Sequence, residues 1–181
     1  MDGGLIMGNV RLYGSTSGYT ELAPPAIAPD GVLTLPSGTG TLATEASVAA
    51  VGTWLDWTPS ATGHTVGNGT VTARYTQVGK LVTFRYLFVL GSTSAISSDF
   101  AFSLPVTAAP SNTFLTATGM LYNPGVDIYP AFCFYLDTTT VQVRAGNASS
   151  VYNYLASLTA SIPFTWFTGN RVAVNGCYEA A

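Results

Sequence analysis

Val71-Thr72-Ala73-Arg74-Tyr75-Thr76-Gln77-Val78-Gly79-Lys80-Leu81-Val82-Thr83-Phe84-Arg85-Tyr86-Leu87-Phe88-Val89-Leu90 is the stretch whose reading decides the fold. Two runs of alternating residues flank Gly79-Lys80, a two-residue turn signal, so the segment is predicted to be a β-hairpin. In the second run Val82, Phe84, Tyr86, Phe88 and Leu90 share one face, and Thr83, Arg85, Leu87 and Val89 share the other. The first face is wholly apolar and is expected to meet the core. The second becomes apolar towards its end and is expected to meet a neighbouring subunit.

Working outward, short apolar runs recur between turn signals. Strands are predicted at Phe100–Leu104, before Pro105, and at Phe114–Tyr122, before Pro124. Others follow at Asp127–Leu136, Val141–Ala145, Tyr154–Ala160 and Arg171–Tyr178. Trp54-Leu55-Asp56-Trp57 opens the β region. About eight short strands at regular spacing predict an all-β chain, a jelly-roll-like β-sandwich.

Composition agrees. The chain has 181 residues, of which 48% are hydrophobic, 12% aromatic and only 8% charged. A typical globular protein has about 25% charged residues. The surface polarity comes instead from about forty Thr and Ser side chains. Disorder is excluded by the aromatic content. Nucleic-acid binding is disfavoured, because six basic residues, a net charge of −3 and a pI near 4.7 give no basic stripe for phosphates. The densest apolar run, Leu81–Leu90, falls short of the roughly 20 residues a membrane helix needs. Low charge in a chain of this size implies that sister copies or a larger assembly cover part of its surface.

The first 44 residues differ from the rest. Extended pieces at Asn9–Tyr13, Val32–Leu35 and Thr41–Ala43 are cut by Gly14-Ser15-Thr16-Ser17-Gly18, Pro24-Pro25 and Ser37-Gly38-Thr39-Gly40. So few apolar residues build no core of their own. Residues 1–44 are therefore read as an attachment and trimerisation arm, with Leu12, Tyr13, Tyr19, Leu22, Leu33, Leu35 and Leu42 as its interface residues. Residues 45–53 are read as a short linker with one or two helical turns capped by Thr44, and residues 54–181 as the β-sandwich domain.

Catalytic constellations are missing from the sequence. The single histidine, His64, lies in Thr62-Gly63-His64-Thr65 and is expected to be an exposed or locally hydrogen-bonded loop residue. One His and two distant Cys do not supply a zinc ligand set. Without a basic leader and apolar h-region, Cys133 and Cys177 are expected to be reduced, buried thiols. The acids Asp2, Glu21, Asp30, Glu45, Asp56, Asp99, Asp127, Asp137 and Glu179 mostly sit beside turn formers, where a carboxylate caps the backbone. A glycosidase pair would need two of them facing each other about 5–10 Å apart. Gly38-Thr39-Gly40-Thr41-Leu42-Ala43 lacks the βαβ context of a dinucleotide site. No catalytic, metal-binding or cofactor-binding residue is assigned. Tyr129, Tyr135, Tyr152, Tyr154 and Trp166 are candidate glycan-facing rings, weighed against the commoner use of aromatics as core and interface filling.

Two sets of residues carry a resemblance. Gly14-Ser15-Thr16-Ser17-Gly18-Tyr19-Thr20-Glu21-Leu22-Ala23-Pro24-Pro25-Ala26, Leu33-Thr34-Leu35-Pro36 and Gly40-Thr41-Leu42-Ala43-Thr44 resemble a module of tailed-bacteriophage tail-fibre, head-fibre and decoration proteins. Thr65-Val66-Gly67-Asn68-Gly69-Thr70, Tyr75-Thr76-Gln77-Val78-Gly79-Lys80, Phe102-Ser103-Leu104-Pro105-Val106 and Val174-Asn175-Gly176-Cys177-Tyr178-Glu179 resemble a C-terminal domain of such proteins, with Cys177 where Thr is more usual. The resemblance implies a non-enzymatic homotrimer located on the virion and assembled in the host cytoplasm. Its N-terminal extended β arms intertwine and attach to the major capsid protein or another virion protein, while the sandwich projects outward. The short length and the start at Met1 favour a capsid decoration protein. The alternative is a minor tail or tail-fibre protein that grips a host surface glycan. A glycan-degrading enzyme and a secreted lectin-like adhesin rank lower. No cofactor, nucleic-acid partner or membrane is expected.

Overall fold

The structure is a computed structural model that describes residues 10–13, 16–22, 51–110, 117–147 and 154–181. The chain divides into two compact units, Met1–Leu42 and Ala43–Ala181. Expectations for the helical linker, for Leu33, Leu35, Leu42 and Tyr152, and for the start of the Phe114–Tyr122 strand lie outside the described residues.

In the first unit β1 (Val10–Tyr13) pairs antiparallel with β2 (Tyr19–Leu22). Tyr13 lies opposite Tyr19, with ring centroids 5.9 Å apart, and the Arg11 guanidinium sits 4.6 Å from the Tyr19 ring centre. Both tyrosines are exposed. A two-stranded hairpin of this length has too little apolar area to be stable unaided.

The second unit contains β3 (Leu55–Asp56), β4 (Ala61–Thr65), β5 (Thr70–Val78), β6 (Leu81–Val89) and β7 (Ala95–Ser103). It continues with β8 (Ala117–Asn123), β9 (Asp127–Tyr135), β10 (Thr140–Asn147), β11 (Tyr154–Ser157) and β12 (Arg171–Glu179). All ten join one antiparallel sheet in the order β3-β5-β6-β12-β8-β9-β10-β7-β4, with β11 paired to β10. The predicted hairpin is β5–β6, in register from Thr70↔Val89 to Val78↔Leu81. Its turn begins with Gly79 at φ +59°, the left-handed geometry that matches the twist of the flanking strands.

The all-β sandwich is the fold that forms, and its two layers are one continuous sheet curled over on itself. Strands β6 and β7 are separated by four others along the hydrogen-bonded path, yet they face each other across the core. The Tyr86 and Phe102 rings stack at 4.1 Å and 5°, and Phe84 meets Phe102 edge-on at 6.2 Å. Val82, Phe84, Tyr86, Phe88 and Leu90 are all buried, as their alternation predicts. Trp57 ties the two ends of the sheet together. Its N–H donates to Ala73 O on β5 (3.1 Å) and its indole Nε1 to Ser103 O on β7 (3.3 Å). Among the described residues there is no helix, and none long and apolar enough to cross a membrane.

Two expectations need correction. Thr62-Gly63-His64 is not a loop but the bulged part of edge strand β4, with a register shift between Thr62 and His64. Gly63 there has φ +70°, and a Cβ on it would fall 1.7 Å from Ser98 O, so only glycine fits. The bulge turns the imidazole inward, where it stacks on Phe100 at 3.9 Å and 12°. His64 is therefore half-buried, although its Nδ1 keeps a local hydrogen-bond partner in Thr62 O (3.0 Å). The second correction concerns the thiols. Both are free, but only Cys133 is buried, while Cys177 is exposed. Alternation decides this: Cys133 points inward from β9, whereas Cys177 lies between the buried Val174 and Tyr178 positions on the outward phase of β12.

Candidate functional sites on the sheet

The register arranges the outward face of the sheet into rows. One row runs Thr72, Leu87, Ala173, Met120, Pro130, and the next runs Thr70, Val89, Arg171, Tyr122, Ile128. A third runs Arg74, Arg85, Asn175, Thr118, Phe132, Arg144. Their apolar members cluster on β8 and β9, where Met120 is 46% and Ile128 56% exposed, while Arg171 interrupts the second row with its guanidinium 5.5 Å from the Tyr122 ring centre. No described element covers this cluster.

Around the end of this face lies a cleft of about 560 Å³, lined by residues of β9, β10 and β11 and by Ile162 and Pro163. Tyr129 and Tyr154, two of the five candidate glycan-facing rings, both border it. Asn147 Nδ2 donates to the Tyr154 hydroxyl at 2.9 Å, which fixes that ring. Gly146 keeps the cleft open, since a Cβ there would approach Pro130 Cγ to 2.9 Å. The lining is mainly apolar, with Asn147 as its one amide side chain.

The other candidate rings take different places. Tyr129 also packs on Phe164 (5.4 Å), which packs on Trp166 (4.5 Å). The Trp166 indole donates to Thr159 O at 3.0 Å, so this ring is half-buried filling. Tyr135 meets Tyr178 edge-on at 6.4 Å against the core. Burial, and secondarily the Cys177 sulfur, push its hydroxyl above the ordinary tyrosine range. Only Tyr154 among the described candidates is exposed by more than half.

Asp127 and Asp137 cap their own turns, as expected, whereas Asp56 and Asp99 reach side chains on other strands. Asp137 Oδ1 accepts from Thr139 N and Thr139 Oγ1, both at 2.7 Å, and these bonds hold its carboxyl below the usual range. Asp127 caps Ile128 N, Asp99 accepts from Gln142 Nε2, and Asp56 accepts from Arg74 Nε, each at 2.8 Å. Among the described residues no three His, Cys, Asp or Glu side chains converge as a metal site.

A second concavity, about 370 Å³, was not indicated by sequence motifs. It lies on the hairpin's outward face and is lined by Arg74, Arg85, Thr72, Leu87, Ala173 and Asn175 among others. The hairpin register places the two arginines directly opposite each other. Arg85 sits over the Trp54 indole, with its Cζ 4.1 Å from the ring centre.

No known protein family, curated protein or solved structure matches the chain.

Proposed function

We propose that the protein is a non-enzymatic bacteriophage virion protein: a homotrimeric capsid decoration protein that attaches through residues 1–44 and projects its β-sandwich. The observation that carries this reading is the uncovered apolar patch of Met120, Tyr122, Pro130 and Ile128 on β8 and β9, bordered by Arg171. An antiparallel sheet can leave its outer face to water, but contiguous exposed apolar side chains on that face mark an interaction surface. A second copy of the chain is the occupant that also explains the low charge, because a surface sequestered in an assembly needs few charges for solubility. The first unit's hairpin, with exposed Tyr13 and Tyr19, gains stability when copies interleave. The resemblance to phage fibre and decoration modules supplies the virion setting.

Light scattering on the purified chain is expected to give a trimer, and Met120→Lys with Ile128→Lys is expected to dissociate it. Removal of residues 1–44 is expected to abolish attachment to the particle, measured by co-sedimentation with capsids. A monodisperse monomer that still docks without the arm overturns the reading. A second reading, a tail-tip receptor-binding protein, is favoured by the Tyr129–Tyr154 cleft. Immunogold labelling of virions, shell against tail tip, separates the two.

A further inference from the structure

Arg74 and Arg85 face each other across adjacent strands. Like charges in directly opposite positions destabilise a sheet, so something must offset them. Arg74 is engaged: its Nε donates to Asp56 Oδ1 (2.8 Å) and its Nη2 to Trp54 O (3.1 Å). Arg85 is not. Among the described residues neither a carboxylate nor any hydrogen-bond acceptor reaches its guanidinium, and its one partner is the face of Trp54. The Trp54 indole holds this guanidinium at the concavity, where its N–H groups remain available to an oxyanion. The one compensating carboxylate, Asp56, is 83% exposed and therefore well screened. Two guanidiniums against one screened carboxylate leave the concavity net positive.

The surroundings select among oxyanions. Beside the two guanidiniums lie an apolar floor, Leu87 and Ala173, and two neutral hydrogen-bonding groups, Thr72 and Asn175. Volume, apolar floor, hydroxyl and amide fit a single sugar ring that bears a carboxylate. A bare anion would leave the floor and both neutral groups unused. A peptide adding as a strand would pair with backbone at a sheet edge, whereas the groups gathered here are outward-facing side chains of β5, β6 and β12.

We propose that Arg74 and Arg85, with Trp54 as the platform for Arg85, form a binding site for a carboxylated sugar of the hexuronate or sialic-acid class. The carboxylate takes the guanidinium edges, the ring's apolar face lies on Leu87 and Ala173, and ring hydroxyls meet Thr72 and Asn175. The site is separate from the Tyr129–Tyr154 cleft and independent of whether the protein decorates the shell or the tail.

The test is titration of the full chain with sodium glucuronate and N-acetylneuraminic acid, followed by NMR shifts of Ala173 and Asn175, with glucose and acetate as controls. At least one acidic sugar is expected to bind, glucose not to bind, and acetate to bind about tenfold more weakly or worse. Arg85→Gln is expected to lower affinity by about tenfold, the loss of one charge-assisted pair. Asp56→Asn removes the competing carboxylate and is expected to raise affinity severalfold, a gain that a fold defect would not produce. Equal binding of glucose or acetate, no effect of Arg85→Gln, no gain from Asp56→Asn, or binding of a glutamate-rich peptide with neither sugar bound overturns the proposal. None of these results depends on the oligomeric state or the virion location.

Discussion

The facing of β6 and β7 across the core predicts a specific energetic coupling between Tyr86 and Phe102. Both side chains are essentially fully buried and their rings stack at 4.1 Å, although no hydrogen bond joins their strands. Replacing Phe102 with Leu removes the stacked ring and leaves a small void, at a cost of roughly 1–2 kcal/mol. Tyr86→Leu is expected to cost a similar amount, on the order of 1–2 kcal/mol. Each single change removes the same ring–ring contact, so the double variant loses it only once. The cycle should therefore return an interaction of about 0.5–1.5 kcal/mol, the usual size for a buried aromatic pair. Urea denaturation at pH 7.5, followed by tryptophan fluorescence and far-UV circular dichroism, measures all four corners. Tyr122→Leu, on the outward face of β8, serves as the control partner for Phe102→Leu and should be additive within about 0.5 kcal/mol. Additivity in the Tyr86–Phe102 cycle would refute the curled sheet, because a flat or differently closed sheet does not bring β6 onto β7.

Three further outcomes follow from particular side chains. Burial lowers the His64 pKa below its ordinary 6.5, so the unfolded chain binds the proton more readily. Stability should be full above about pH 6.5 and decline as pH falls from there toward the folded value, before Asp137 begins to matter below its ordinary 3.8; urea midpoints at pH 7.5 and 5 check this, and His64→Gln should flatten the slope. Cys177 should react with Ellman's reagent in the native protein, whereas Cys133, whose thiol is pushed up by burial, should react only on unfolding. A count of two fast thiols would contradict the strand phase assigned to Cys133. Gly119→Ala would place a Cβ 1.9 Å from Ala173 O, so it should disturb the β8–β12 ladder and cost about 3 kcal/mol in denaturation.

The chain's linear order was enough to determine the strands and their buried faces. Alternation is a local property, and Val82 to Leu90 fall on the core side whatever the topology. The turn at Gly79-Lys80 even fixes the register that sets Arg74 against Arg85, although two arginines on separate strands form no linear motif. The bulge at His64 is hidden in the sequence for a related reason. Glycine signals a turn by default, and only the approach of the Ser98 carbonyl shows that Gly63 makes a bulge instead. Tertiary structure alone decided the rest: that β6 packs on β7, that Trp166 and Tyr135 fill the core margin while Tyr154 stays exposed, and that Trp54 lies under Arg85. These depend on how far the sheet curls and which distant strands become neighbours. Curling is the sum of many small twists, and no short stretch of residues encodes that sum.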